Sequence, residues 1–146
     1  MKKQEYRVSI NAPREKVWNI LWTDETYRQW TAPFMEGSYA VTDWKKGSKV
    51  LFLGPDGGGM VSKIDENIPN EYMSIQHLGM VNNGVEDTES DKVKDWAGAH
   101  ENYTLKDANG QTDLIIEMDL NEEYAKMFNE TWPKALQKVK ELAEGN

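Results

Sequence analysis

Tyr6, Val8 and Ile10 alternate with Arg7, Ser9 and Asn11, and this period of two predicts an opening strand with one wet face. Pro13 then suits a first helical turn, and Val17, Ile20, Leu21 and Trp22 fall near one side of the short helix it starts. Thr23 and Asp24 offer a new N-cap and Glu25 favours the positive helix end, so a second short helix is predicted up to Trp30, with Pro33 ending the excursion. From Tyr39 to Met118 the period returns to two, broken by turn-formers at Lys46-Gly47-Ser48, Gly54-Pro55-Asp56-Gly57-Gly58-Gly59, Pro69-Asn70 and Asn109-Gly110. These breaks delimit strands at about 37–44, 48–54, 60–67, 71–79, 98–106 and 111–119. After Asn121, another N-cap followed by Glu122 and Glu123, the period becomes 3.6 through Tyr124, Phe128, Trp132, Leu136, Val139 and Leu142. A long amphipathic helix follows, with Pro133 inside it and a kink expected one turn upstream. The stretch from Met80 to Ala97 is the least regular. It carries Glu86, Asp87, Glu89, Asp91 and Asp95 against Lys92 and Lys94, and Ser90 could cap one or two helical turns ending near Trp96. Its charge density predicts faster amide exchange there than in the flanking strands.

A long helix after an antiparallel sheet buries its apolar stripe by lying across the concave face, while the two early helices close one end. The expected architecture is therefore α+β, a helix-grip of about six to seven strands. No repeat or low-complexity linker divides the chain, so residues 1–146 read as one domain. Phe128 and Trp132, with Met127 beside them, then face the sheet positions Val50, Phe52, Met60, Ile64, Met73, Tyr103, Ile116 and Met118. Trp132 lies one turn from both Phe128 and Leu136 and is the expected centre of the grip.

With 146 residues the chain has the size of a single domain, and 38% hydrophobic content places it among ordinary folded chains. No window reaches the roughly 18 apolar residues of a spanning helix, and a charged start leads straight into the first strand, so no membrane insertion and a cytoplasmic address are expected. The absence of cysteine excludes disulfides, thiolate metal sites and cysteine nucleophiles. A net charge of -8 argues against nucleic acid or an anionic membrane as the main partner. Six Trp, six Tyr and seven Met supply large, adaptable apolar walls.

Asn109-Gly110 is a strong hairpin signal, and a type I′ turn there pairs Leu105 with Leu114, Tyr103 with Ile116 and Glu101 with Met118. The first two pairs are apolar, so Glu101 shares the covered face and needs a partner there. In the preceding strand His77 shares the parity of Met73 and Ile75, which turns it inward and allows it to meet Glu101. Such a pair either binds or protonates a ligand or is a satisfied structural pair. His100 points outward opposite Asp119. The acids at 86–91 lack the ligand order of a calcium loop and read as a solvated loop, so no metal is expected. Gly57-Gly58-Gly59 lacks the helix and lysine of a phosphate cradle, and no Gly-x-Ser-x-Gly elbow is present. No catalytic residue and no cofactor are assigned on these grounds.

Several pieces in order resemble the START-like (SRPBCC) superfamily, in the branch similar to the C-terminal domain of the activator of heat shock protein 90 ATPase. They are Ile10-Asn11-Ala12-Pro13 with Val17-Trp18 and Leu21, Thr23-Asp24 followed by Gln29-Trp30, Gly47-Ser48, and Trp132-Pro133 with Leu136, Val139, Lys140 and Leu142. The acidic segment from 80 to 97 is longer than the usual connection of that family. The resemblance implies a lipophilic pocket, and the reading it favours is a protein that holds a small lipophilic or aromatic molecule between the C-terminal helix and the sheet. His77 and Glu101 would fix its polar end, and Tyr103, Phe52, Met60, Met73, Met118, Phe128 and Trp132 would form the walls. It also implies two alternatives, a cyclase- or hydrolase-like enzyme using His77 and Glu101 for acid–base work, and a ligand-free chaperone-associated interaction module.

Overall fold

The computed structural model describes residues 2–145, so Met1 and Asn146 of the expected 1–146 domain lie outside the described residues. The alternating segments form β1 (Lys2–Ile10), β2 (Tyr39–Val41), β3 (Lys49–Leu53), β4 (Gly58–Ile68), β5 (Tyr72–Asn82), β6 (Val85–Asp87), β7 (His100–Ala108) and β8 (Gln111–Leu120). The helices are α1 (Arg14–Trp22), α2 (Asp24–Trp30), α3 (Asp91–Lys94) and α4 (Glu122–Glu144). One antiparallel sheet runs β1-β8-β7-β5-β4-β3-β2, with β6 added to the end of β5. α4 packs against β1, α1 and α2. Its stripe of Trp132, Ala135, Leu136, Val139 and Ala143 joins Val50, Ile64, Met73, Tyr103, Leu114 and Ile116 in one cluster. The helix-grip architecture is the one the pattern implies.

The hairpin register holds at Leu105–Leu114, Tyr103–Ile116 and Glu101–Met118. Asn109 and Gly110 both have positive φ, 58° and 86°, the signature of the type I′ turn. Asn83-Gly84 carries the same dipeptide and the same conformation, with φ of 51° and 85°, and it makes β6 pair back on β5. The stretch from 80 to 97 is thus more organised than its charge suggests. Its first residues extend β5, Ser90 occupies the N-cap of α3, and Val93 is fully buried.

Two expectations need correction. The strand placed at 37–44 shrinks to Tyr39–Val41, and left-handed backbone at Gly37 (φ 85°) and Trp44 (φ 62°) turns the chain out of extended pairing on either side. On α4, Met127 does not face the sheet; it is 51% exposed, as is Tyr124 at 45%, because the buried stripe begins in earnest only at Trp132. Small Ala135 and Ala143, absent from the large-residue pattern, are fully buried instead. The helix itself continues through Pro133.

Candidate functional site

Three strands bring polar side chains onto the ring-lined face. A register shift in the β4–β5 ladder, where Val61 faces Gly79 but Ser62 faces His77, leaves Leu78 unpaired as a bulge and keeps Ser62 and His77 opposite each other. The His77 backbone is pinned on its other side, its N–H donating to Ala99 O at 2.8 Å and its carbonyl accepting from Gly98 N–H at 2.8 Å. Glu101 lies two residues along β7 from Tyr103, on the same face.

The result is a continuous polar line. Ser62 Oγ is 2.7 Å from His77 Nδ1, and His77 Nε2 is 3.1 Å from Glu101 Oε1. The Tyr103 hydroxyl donates to Glu101 Oε2. With its Nε2–H given to the carboxylate, the neutral imidazole accepts the Ser62 hydroxyl proton at Nδ1; protonated, it donates at both nitrogens. Ser62 is fully buried and cannot meet a substrate in this arrangement. The Glu101 side chain is 16% exposed and spends about two of its four acceptor positions on His77 and Tyr103. Burial, and then the Glu101 charge, push the Tyr27 and Tyr103 hydroxyls well above the ordinary tyrosine range.

Aromatic rings surround this line. Phe52 meets the His77 ring edge-on at 5.8 Å, Trp22 meets Tyr103 at 4.8 Å, and Trp132 meets Tyr103 at 6.1 Å. Trp132 also donates its Nε1–H to Met118 Sδ at 3.0 Å, and Phe34 stands between it and Phe128 at 4.9 and 6.0 Å. Met73 is the cross-strand neighbour of Tyr103. Met60 sits at the margin, half-buried, opposite Phe52 on one side and exposed Met80 on the other. The residues singled out along the chain therefore come together, apart from this peripheral place of Met60. The interval between α4 and the sheet is filled with rings. Open volume lies instead in a cleft of about 280 Å³ lined by Trp22, Tyr27 and Trp44, one ring layer away from the polar line.

Ser62 shares the parity of Met60 and Ile64, a signal that turns it inward, and the bulge at Leu78 then sets it against His77. Trp22, Tyr27 and Trp44 join the walls with no periodic signal of that role, because they come from helices and a loop whose placement is tertiary. His100 lies outward as its parity requires, 3.1 Å from Asp65 and with its backbone N–H on Asp119, and takes no part. No cluster of potential metal ligands occurs among the described residues, and none of their helices is long and apolar enough to cross a membrane.

The family described as activator of Hsp90 ATPase homolog 1-like protein matches residues 11–144, and the chain belongs to it. Among solved structures, the Aha1 dimer from Colwellia psychrerythraea is similar over 99% of this chain and 98% of that one, with 21% identity and a TM-score of 0.76. CalU16 from Micromonospora echinospora is similar over 98% of this chain and 74% of its own, with 16% identity and a TM-score of 0.68. DynU16, from the dynemicin biosynthetic locus, shares 14% identity and a TM-score of 0.74; the match covers 99% of this chain and 48% of DynU16. No curated protein matches the chain. At these identities the likenesses establish the helix-grip fold and nothing finer.

Proposed function

We propose that this member of the activator of Hsp90 ATPase homolog 1-like family is a binding protein for a small lipophilic or aromatic molecule. The molecule would lie between α4 and the sheet, with its polar end on His77 and Glu101. The observation that carries the reading is Glu101: a carboxylate on a ring-lined face, satisfied on one side by Tyr103 and His77, with acceptor capacity left over at a partly open end. A buried carboxylate is costly unless its hydrogen bonds are complete, so a ligand O–H or N–H fits the remaining positions. Tyr103, Met73, Met118 and Trp132 are buried and would serve as a fixed floor. Phe52, Met60 and Phe128 are half-buried and can turn aside to admit a body of matching size.

The ring-filled interval favours one other reading, a ligand-free interaction module that uses its exposed surface, as the similarity to the Aha1 dimer suggests. Two measurements separate them. Native mass spectrometry of gently purified protein should show a bound species of small-molecule mass. Titration with 2-naphthol, followed by tryptophan fluorescence, should give saturable binding that Glu101→Gln weakens about tenfold, the equivalent of ~1.4 kcal/mol. An affinity that Glu101→Gln leaves unchanged removes the polar anchor, and no binding at all favours the interaction module.

A further inference from the structure

The cleft where α1 and α2 meet β2 has chemistry of its own. Its lining includes the rings of Trp22, Tyr27 and Trp44 and the polar side chains of Asp24, Thr42 and Asp43. Trp22 and Trp44 meet at 4.7 Å with their planes 50° apart, and Tyr27 and Trp44 at 5.9 Å with planes 53° apart. The three rings touch at inclined angles and together make the aromatic wall of the cleft. The Trp22 indole N–H is buried and has no acceptor among the described residues; as a donor it suits a hydroxyl oxygen of a ligand and not its cationic head.

Trp44 is held in place against its own preference. A left-handed backbone suits Gly or Asn, and a bulky ring there is uncommon. Two bonds fix it: its N–H donates to Thr42 Oγ1 at 3.1 Å, and its carbonyl accepts from Asn67 Nδ2 at 2.8 Å. What the position contributes is the ring, set against Trp22, Tyr27 and Phe52.

The charged side chains that line the cleft are both acids. Asp43 and Asp24 are exposed, and the lining contains no Lys, Arg or His. Ser48 and the Lys45 N–H hydrogen-bond the Asp43 carboxyl and hold it below the usual carboxylate range, while Arg28 Nε bonds both oxygens of Asp24 at 3.1 Å. Arg28 offsets the Asp24 charge and leaves Asp43 as the carboxylate that faces a ligand, which would repel an anion. A neutral apolar molecule would use the rings and leave the carboxylate idle. An organic cation uses both, because its charge is attracted to ring faces as well as to carboxylates.

We propose that this cleft binds a small organic ammonium ion, its alkyl groups against Trp22, Tyr27 and Trp44 and its charge opposite Asp43. The volume lies just below the roughly 300 Å³ at which ligand pockets begin, so the occupant is compact. His77 and Glu101 do not line the cleft, and the site stands apart from the one proposed above.

The test compares choline with 3,3-dimethylbutan-1-ol, its uncharged carbon isostere, on the intact protein at low salt, following the indole N–H resonances by NMR. Choline should bind at least about tenfold more tightly than the alcohol and shift the Trp22 and Trp44 signals before the others. Asp43→Asn, at an exposed position, should weaken choline several-fold and leave the alcohol unaffected. Trp44→Leu should abolish the preference for the cation, and Trp44→Phe should restore part of it. If Trp44→Leu does not fold, Asp43→Asn and the choline-to-alcohol ratio decide alone. Equal affinity for the two probes, indifference of choline to Asp43→Asn, or no shift at millimolar choline overturns the proposal.

Discussion

Trp132→Ala removes the residue on which the grip converges. The side chain is 1% exposed, stacks on Tyr6 at 5.9 Å, packs on Trp30 and Tyr103 at 6.1 Å each and on Phe34 at 4.9 Å, and gives its indole N–H to Met118. Truncating a buried Trp costs about 3–5 kcal/mol, and four ring neighbours with little freedom to collapse place this site toward the upper end. For a chain of 146 residues the unfolding entropy is about 0.3 kcal/mol/K at the midpoint, so the expected fall in Tm is roughly 10–16 °C. Differential scanning calorimetry reads this directly. Trp132→Phe, which keeps a ring against Tyr103 and Phe34, should lose less than half as much. A drop under about 3 °C for Trp132→Ala would refute the claim that this side chain organises the core, since the transfer cost alone exceeds it.

Tyr27 and Tyr103 have hydroxyls raised above the ordinary range by burial and by the Glu101 charge. The folded state therefore keeps protons that the unfolded chain releases above about pH 10, and stability, undiminished below that pH, should fall as pH rises beyond it. Tyrosinate absorbance should show these two of the six tyrosines ionising only with unfolding; six ordinary titrations would contradict this. Gly59→Ala should destabilise by about 3 kcal/mol or more, because a Cβ there would stand 1.7 Å from the Phe52 carbonyl oxygen. Gly110→Ala, in open space at φ 86°, should cost only about 1–2 kcal/mol, so equal urea midpoints for the two variants would refute the contact argument. Val93→Ala, in the acidic connection, should speed amide exchange across 88–97 and lower stability by about 1–2 kcal/mol, whereas unchanged exchange would show that α3 is not anchored by Val93.

Much of the fold was legible along the chain because each element carries its own period. Alternation marked the long strands, the 3.6 repeat marked α4, and Asn109-Gly110 set the register that turns Glu101 and Tyr103 the same way. Asn83-Gly84 held equal information about β5 and β6, but the acids around it masked the short alternation. Parity likewise placed His77 and Glu101 on one face, and their 3.1 Å contact follows from neighbouring strands in that register. Period and turn chemistry are local properties, so the chain determined the helix-grip elements, the hairpin and the inward polar pair. Tertiary structure alone decided that Leu78 bulges to bring Ser62 to His77, that Trp44 adopts a left-handed backbone, and that rings from α1, α2 and a loop fill the grip and leave the open volume at its end. Those outcomes depend on which side chains from distant segments fill the same space, and no pattern within a single segment encodes that competition.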